Sequence, residues 1–288
     1  MSEPVTWISK DYHVHEHHSK DAPEATPTLY CQKAEERGIN EICFTTHCFV
    51  TDPDVNFGVS METMEEYMDQ IFTAQDETDV TLRFGLELDY FPRYERKIEE
   101  IVDEYPFDFI LGSLHYIRGI DIGSSNTSPQ FFKGRPVEES LNIYYEDWGK
   151  AAQSGFFDVL AHPDYFRRYL SHSNIEDLTW EQYGTTIHEA FDILKTNRVG
   201  IEVNTSGYRH GLDSAYPITD FIKAAYGAGI KTVTIGSDTH TVEELGVNTN
   251  KGVIALQNAG FDYTCVFKNR KAKKINLSEV MMRGESLE

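Results

Sequence analysis

The stretch DYHVH at residues 11–15 ends the first apolar run of this 288-residue chain, and GSDTH at residues 236–240 ends another apolar run near the opposite end. Each stretch holds two ligand-type side chains with one residue between them. Because alternate side chains of a strand share a face, the two members of each pair are expected to point the same way. Imidazoles and a carboxylate that converge from distant segments are typical of a metal site with nitrogen and oxygen ligands. The two stretches therefore predict a metal-dependent enzyme.

Apolar runs and helical patterns alternate along the chain. The runs typical of buried strands are Trp7–His13, Glu41–Thr46, Val80–Asp89, Phe109–His115, Phe157–Ala161, Gly200–Asn204 and Thr232–Gly236. Helical patterns lie between most of them, at Thr28–Arg37, Met61–Gln75, Arg96–Val102, Glu138–Ser154, Trp180–Thr196 and Ile218–Ala228. Strands that alternate with helices of crossover length favour a parallel sheet. Seven such units favour closure into a single-domain α/β barrel over residues 1–288.

Two stretches depart from this alternation. Ile117–Pro136 is long and rich in Gly, Ser, Asn and Thr, so we interpret it as an insertion over one mouth of the barrel. Lys268–Lys274 is a basic run, which is more typical of a solvated surface than of a binding patch.

The composition excludes several classes of protein. The chain has 47 acidic and 26 basic residues, which gives a net charge of -21. This charge disfavours nucleic acid as the main partner, but it is compatible with a small phosphorylated ligand in a local basic pocket. No uncharged apolar stretch is long enough to span a membrane, and the N-terminus lacks the pattern of a signal peptide. Four cysteines without paired spacing suit a reducing cytoplasm, where we expect them to be packing residues.

Ligand-type residues follow almost every predicted strand at its C-terminal end. In barrel enzymes the catalytic groups come from that end of several strands. Six of the 11 histidines have this placement, whereas unrelated histidines would also fall in helices and in the middle of strands. The residues concerned are His13, His15, His47, Glu87, Asp89, His115, His162, Asp238 and His240. We expect them to converge at one mouth of the barrel.

Glu87 lies in FGLELD (residues 84–89), where apolar neighbours indicate a buried strand. An ionised carboxylate that is buried without a partner costs several kcal/mol. Glu87 is therefore expected either to bridge two cations or to pair with an arginine. Asp89 has the same strand face but ranks below Glu87, because it lies at the very end of the strand.

The loop after the first pair of histidines contains further candidates. Asp21 either completes the coordination of another metal or caps the helix that begins near Thr28. His17 and His18 are close enough in sequence to bind metal or to contact a substrate, although histidines beside a site are often bystanders.

Seven short motifs occur in a fixed order along nearly the whole chain. They are HVH (13–15) with Asp21, FTTH (44–47), GLE (85–87), GSLHY (112–116), AHPD (161–164), EVNTSG (202–207) and GSDTH (236–240). Their order resembles the PHP (polymerase and histidinol phosphatase) family, and within it the histidinol-phosphate phosphatase branch. The resemblance implies a distorted (β/α)7 TIM-like barrel with a metal site at the C-terminal ends of its strands.

The same resemblance implies three divalent metal ions. Carried over residue by residue, the ligand sets are His13, His15, Glu87 and Asp238 for the first metal, Glu87, His115 and His162 for the second, and Asp21, His47 and His240 for the third. Many relatives have a histidine where Asp21 stands. A harder oxygen ligand favours manganese or iron over zinc at that position, so the identity of the metals stays open among these three.

Relatives in this branch bind the substrate phosphate with arginines that follow the fifth and sixth strands. The matching segments are HPDYFRR (162–168) and SGYR (206–209). The planar guanidinium suits this role because it pairs with two phosphate oxygens at once. The candidates are Arg167, which we favour over its neighbour Arg168, together with Arg209 and Arg118.

The implied reaction is hydrolysis of a phosphate monoester, in which hydroxide generated at the metals attacks phosphorus in line with the leaving alkoxide. Arg167 and Arg209 would stabilise the charge on the phosphoryl oxygens in the transition state. Asp238 is the candidate acceptor of the proton of the water, and Asp164 is the candidate donor to the leaving group.

L-Histidinol phosphate, from histidine biosynthesis, is the substrate that this branch implies. An alternative within the family is a broader phosphoesterase that acts on nucleoside monophosphates or short oligonucleotides. A third alternative is a binding module that metal ions stabilise without turnover. We disfavour it because closed structural sites rarely recruit so many carboxylates and imidazoles.

Overall fold

Seven parallel strands form the central sheet of the molecule, in chain order. The computed structural model describes residues 7–51, 57–173, 175, 178–183 and 186–281. The strands are β1 (Lys10–Val14), β2 (Glu41–Phe44), β3 (Thr81–Asp89), β4 (Phe109–Ser113), β5 (Val159–Leu160), β6 (Gly200–Asn204) and β7 (Val233–Gly236). A two-residue strand, His47–Cys48, pairs with the C-terminal part of β3, so that His47 lies opposite Glu87.

The first and last strands meet and nearly close the barrel. Val14 and Thr239 form a parallel bridge. Beside it, the buried carboxylate of Asp11 accepts hydrogen bonds from Ser237 N (2.9 Å), Ser237 Oγ (2.5 Å) and Gly246 N (2.8 Å). These contacts join segments more than 220 residues apart. The predicted fold class, a distorted (β/α)7 TIM-like barrel, is confirmed.

Helices connect the strands. They are α1 (Pro27–Arg37), α2 (Met64–Gln75), α3 (Glu95–Glu104), α4 (Val137–Gln153), α5 (Thr186–Asn197), α6 (Thr219–Ala228) and α7 (Thr249–Ala259). Shorter helical turns lie at Pro92–Tyr94, Ser128–Phe132, Tyr165–Ser173, Trp180–Tyr183, Ser206–Arg209, Val242–Glu244 and Leu277–Val280. No helix in the described part of the chain has the length and apolarity needed to cross a membrane.

Two helices differ from the sequence-based expectation. The helix expected over Trp180–Thr196 is a short 3-10 turn followed by α5, which begins at Thr186. Helix α7 was not among the expected helices, and its sequence contains a glycine. Gly252 lies where α7 contacts β7, and a Cβ at this position would stand 2.9 Å from Ile235 Cγ2. The glycine therefore permits close packing instead of breaking the helix.

A C-terminal hairpin covers the N-terminal end of the barrel. Its strands are β8 (Tyr263–Lys268) and β9 (Lys271–Asn276). The ring of Phe267 packs 4.7 Å from that of Phe109 inside the barrel, and Arg270 Nε donates to Asp158 Oδ2 over 2.5 Å. Most side chains of the basic run in β9 are exposed to solvent. The hairpin closes the end of the barrel that lies away from the ligand-type residues.

The connection after β4 contains the segment expected to be an insertion. Tyr116–Ile117 and Ile120–Asp121 form a short antiparallel hairpin, and Ser128–Phe132 forms a short helix before α4. The extent of the domain, residues 1–288 with this insertion, stays a prediction.

Candidate metal centre

Glu87 lies at the centre of the cluster of ligand-type residues and is almost completely buried. Its Oε2 lies 2.7 Å from His47 Nδ1, 3.4 Å from His13 Nε2 and 3.6 Å from His15 Nε2. Within the described residues Glu87 has no arginine partner, so imidazoles and not a guanidinium surround its carboxylate. The ion pair with an arginine that we considered from sequence is absent there.

The other oxygen of Glu87 faces a second pair of histidines. Glu87 Oε1 lies 2.9 Å from His162 Nε2 and 3.9 Å from His115 Nε2. Asp89 stands behind His115, because its Oδ1 lies 3.1 Å from His115 Nδ1 and accepts a hydrogen bond from the backbone N of the same residue. The two carboxylate oxygens of Glu87 thus face two different groups of imidazoles, which is the arrangement that a bridging ligand requires.

Asp21 belongs to a third group at the more exposed side of the cluster. Its Oδ2 lies 3.2 Å from His240 Nε2 and 3.9 Å from His47 Nε2, and those two nitrogens are 3.5 Å apart. Asp21 does not cap α1, which was its alternative role. Thr26 caps this helix, because its side chain accepts a hydrogen bond from Leu29 N.

Asp238 follows β7 and presents one oxygen to the first pair of histidines. Its Oδ1 lies 3.3 Å from His15 Nε2 and 3.5 Å from His13 Nε2. Its Oδ2 accepts hydrogen bonds from Asn204 Nδ2 (3.2 Å) and Ser206 Oγ (3.1 Å). Asp238 and His162 have positive φ angles of 56° and 25°. Such backbone strain in residues other than glycine is often found at functional sites.

The buried nitrogen and oxygen atoms of the cluster fit divalent cations. The Nε2 atoms of His13 and His15 face each other at 3.0 Å. His13 Nδ1 lies 2.7 Å from Glu202 Oε1, so this nitrogen carries the proton and the lone pair of Nε2 points into the cluster. Glu87 Oε2 is buried without a hydrogen bond from any described residue, although His47 Nδ1 is only 2.7 Å away. Such an atom is costly unless a cation satisfies it.

The electrostatics of the cluster favour ionised carboxylates and a neutral His15. Burial raises the pKa of Glu87, but the imidazoles of His13, His47 and His115 outweigh it and hold that pKa well below its usual range. Burial and the nearby His240 and His47 lower the pKa of His15 well below its ordinary value. Glu87 and His15 are therefore in the protonation states that metal coordination requires.

Glu202 is a residue that reasoning from sequence did not assign to the site. Besides its contact with His13, its Oε2 accepts hydrogen bonds from His162 N (3.0 Å) and Asn204 Nδ2 (3.0 Å). One carboxylate therefore orients ligand-type residues from two different strands. Its presence in the EVNTSG motif was a signal, but Glu202 lies within β6 and not at its end, where we expected functional residues.

A cavity of about 440 Å³ opens above the cluster. Arg168 and Arg209 line it, together with several of the ligand-type residues. Arg209 Nη2 donates to Asp238 O over 2.7 Å, and Arg209 Nη1 is buried without a hydrogen-bond partner among the described residues. Arg168 donates to the hydroxyl group of Tyr165. The cavity thus combines a cluster suited to cations with two guanidinium groups suited to an anion.

The structure corrects the orientation that we expected for the two consecutive arginines. Arg168 lines the cavity, whereas Arg167 points away and donates to Ser214 Oγ (2.9 Å) and Ala215 O (3.1 Å). Arg118 lies apart from the cavity as well, where it pairs with Glu146 at 3.0 Å. Side chains at adjacent positions of a helical turn point in different directions, so only one arginine of such a pair faces inward.

Asp164, the expected proton donor to the leaving group, does not line the cavity either. Its Oδ2 accepts hydrogen bonds from Tyr183 Oη (3.1 Å) and Ile218 N (3.0 Å) and lies 3.4 Å from Arg167 Nη1. A carboxyl group held in this way is not presented to a substrate in the cavity. We therefore assign it no catalytic role.

The histidines beside the site have separate positions. His17 and His18 turn toward the buried carboxylate of Glu16, at 2.7 Å and 3.0 Å, and neither lines the cavity. His210 does line it. Burial and the neighbouring Arg168 lower the pKa of His210 to about 4.

Comparisons with known proteins agree with the fold. The chain matches the PHP domain over residues 11–206. It is 29% identical over 254 residues to a probable histidinol-phosphatase of Deinococcus radiodurans, covering 85% of this chain and 92% of that protein. It is 25% identical to the histidinol-phosphatase of Lactococcus lactis, covering 92% and 96% of the two chains. The crystal structure of histidinol phosphate phosphatase from Lactococcus lactis, complexed with Zn, L-histidinol and phosphate, superposes with a TM-score of 0.78 at 23% identity, covering 94% of this chain and all of that one.

Proposed function

Because this chain belongs to the PHP domain family, we propose that it is a metal-dependent phosphate monoester hydrolase that converts L-histidinol phosphate and water into L-histidinol and phosphate. The main support for the proposal is that ligand-type side chains converge on Glu87. This cluster lies beneath a cavity lined by two arginines. The relatives named histidinol-phosphatase, which align over most of their length, support the choice of substrate.

The arrangement of the side chains suits three divalent cations. The proposed ligands are His13, His15, Glu87 and Asp238 for one cation, Glu87, His115 and His162 for the second, and Asp21, His47 and His240 for the third. Bound there, manganese, zinc or iron would supply Lewis acidity, which polarises a phosphoryl oxygen and lowers the pKa of water. Asp89 and Glu202 hold His115 and His13 in orientation from behind.

Arg168 and Arg209 bind the phosphoryl group in this proposal. Arg209 Nη1 is the best-supported donor, because it is buried at the cavity and has no hydrogen-bond partner among the described residues. A guanidinium group pairs with two phosphate oxygens and remains charged at any physiological pH. The two arginines therefore orient the ester and stabilise negative charge as it spreads over the phosphoryl oxygens in the transition state.

Hydrolysis forms a bond from the oxygen of water to phosphorus and breaks the bond from phosphorus to the alcohol oxygen. One proton leaves the water and one proton reaches the alcohol. Asp238 is the proposed acceptor, because it lines the cavity and its pKa is held well below the usual range by His13 and His15 despite burial. It is therefore ionised and can take up the proton of the attacking water, while bulk water supplies the proton that the alcohol oxygen takes up.

The test combines metal analysis with substrate comparison. Purified protein should contain about three divalent cations per chain, and its kcat/KM for L-histidinol phosphate should exceed that for adenosine monophosphate by about 100-fold or more. Equal turnover of both substrates would instead indicate a broad phosphoesterase. Bound metal without release of phosphate from any ester would indicate a binding module.

A further inference from the structure

A second cluster of ligand-type side chains lies outside the cavity, shortly after the first strand. Glu16, His17 and His18 are consecutive, and each offers a ligand atom within 4.8 Å of the others. Glu16 Oε2 lies 2.7 Å from His17 Nδ1 and 3.0 Å from His18 Nδ1. The residues that line the cavity above the metal centre include none of these three. The cluster is therefore separate from the proposed phosphatase site.

The carboxylate of Glu16 is completely buried and is fixed through one of its oxygens. Glu16 Oε1 accepts hydrogen bonds from Thr46 Oγ1 (3.1 Å) and from the backbone N of His18 (3.1 Å). These neutral donors hold the group while Oε2 faces the two imidazoles. Among the described residues, the two histidines are the only ion-pair partners of Glu16. A buried charge of this kind is stable only with a cation beside it.

The nitrogen of His17 that faces this carboxylate does not point along a hydrogen bond. His17 Nδ1 is buried and has no hydrogen-bond partner among the described residues, although Glu16 Oε2 is only 2.7 Å away. The same relationship joins His47 Nδ1 and Glu87 Oε2 at the metal centre. A cation between the two atoms would satisfy both, because each would direct a lone pair at it.

The surroundings of the two histidines favour a bound cation. The ring of His18 packs edge-to-face against that of Tyr67, with 5.7 Å between the centroids, which restricts its orientation. A groove of about 800 Å³ opens beside His17. Four carboxylate side chains at the start of α2 line this groove with His17, namely Glu62, Glu65, Glu66 and Asp69. A groove lined by charges of one sign raises the local concentration of counter-ions, here cations.

We propose that Glu16, His17 and His18 bind a further divalent cation, separate from the metal centre in the cavity. Two imidazole nitrogens and one carboxylate oxygen are a ligand set that suits zinc, and they leave the fourth tetrahedral position to water. Atoms that share a zinc ion lie about 3.4 Å apart when its bonds are about 2.0–2.1 Å long, so small rotations of the imidazoles reach this spacing. The inference does not depend on the phosphatase function, because these side chains lie outside the cavity.

Titration of the holoprotein with zinc tests the inference. The protein is dialysed against metal-free buffer, and the ions that it retains are counted by elemental analysis. Calorimetric titration with zinc chloride should then show one further binding event per chain. His17→Gln and His18→Gln should each weaken this event by about 100-fold or more, because a lost ligand costs more than the roughly 10-fold to 100-fold of a lost outer contact. The number of ions retained after dialysis should not change.

His172→Gln is the matched control, because His172 is exposed and belongs to neither cluster. It should leave both the retained ions and the further event unchanged. Circular dichroism shows whether each variant is folded, and the two glutamine variants test the site independently of each other.

Three results would overturn the inference. They are a wild type that binds no further zinc, glutamine variants that bind it as tightly as the wild type, and glutamine variants that lose the ions retained after dialysis. The last result would place His17 and His18 at the metal centre instead. Because the titration counts ions and not turnover, a protein without phosphatase activity would refute the proposed function and leave this test intact.

Discussion

Glu202 Oε1 lies 2.7 Å from His13 Nδ1, so a carboxylate in the sixth strand orients a ligand-type histidine of the first strand. The other oxygen of Glu202 accepts a hydrogen bond from the backbone N of His162, which follows the fifth strand. Glu202 therefore couples three strands behind the metal centre. Such outer contacts fix the tautomer of a ligand and raise its basicity.

Glu202→Gln should weaken metal binding by about 10-fold to 100-fold. Glutamine has one acceptor oxygen in place of two, so it cannot serve both His13 Nδ1–H and His162 N–H. Titration of metal-free protein with manganese or zinc would measure the change. The control is Glu99→Gln, at an exposed position of α3. Unchanged metal affinity in the Glu202 variant would show that Glu202 does not position the metal ligands.

Glu87→Gln should lower kcat by about 100-fold or more and reduce the number of bound metal ions, because it removes the charge that faces two groups of imidazoles. Elemental analysis and phosphate release on the same preparation would measure both effects. His172→Ala, at an exposed position, is a control for unspecific loss of metal. Full activity with unchanged metal content would refute the assignment of Glu87 as a bridging ligand.

The two adjacent arginines should respond differently to replacement. Arg168→Met should lower kcat/KM by about 10-fold to 100-fold with little change in stability, because it removes a donor at the cavity. Arg167→Met should instead lower the free energy of unfolding by about 3 kcal/mol or more, because it leaves the buried Asp164 without its cation. Kinetic assays and urea denaturation of both variants would separate these effects. The reverse pattern would restore Arg167 as the residue that binds phosphate.

His210 should make stability depend on pH in the mildly acidic range. Its pKa is about 4 in the folded protein, whereas an unfolded histidine has a pKa near 6.5. As the pH falls below about 6.5, the unfolded chain takes up a proton that the folded protein does not, so the folded state loses stability. His210→Gln should therefore lose less free energy of unfolding between pH 7 and about pH 5 than the wild type. Equal losses in urea denaturation at the two pH values would contradict this.

Asp11→Asn should destabilise the seam of the barrel by about 1–3 kcal/mol. The carboxylate accepts hydrogen bonds on both oxygens, from Ser237 and from Gly246. An asparagine would place an NH2 group against one of these donors. Urea denaturation would measure the effect, with Asp103→Asn, at an exposed position of α3, as the control. A change below about 0.5 kcal/mol would mean that Asp11 is not important for closure.

The local pattern of the sequence was sufficient to predict which side chains share a face. His13 and His15 alternate along β1, and the strands of a parallel barrel all present their C-terminal ends at one mouth. The nine ligand-type residues accordingly lie within one cluster, although their roles as ligands stay predictions. The alternation of strands and helices likewise predicted the barrel, with errors confined to α7 and to the start of α5.

Other features depend on contacts between distant residues. Arg167 and Arg168 are chemically identical neighbours, and no local pattern distinguishes them. Their directions are set by Ser214, Ala215 and Tyr165, of which the first two lie more than 40 residues away along the chain. Glu202 was overlooked for the same reason, because its partners come from β1 and from the segment after β5.

Local patterns in the sequence were therefore enough to predict the barrel, the edge at which the imidazoles and carboxylates gather, and the family that this order of motifs implies. Periodicity and strand polarity are local properties, so they can be read from consecutive residues. Three-dimensional packing was needed to show that Glu87 divides its two oxygens between separate groups of histidines and that Arg168 faces the cavity. These features depend on which side chains meet across the barrel, and packing of the whole chain fixes those distances.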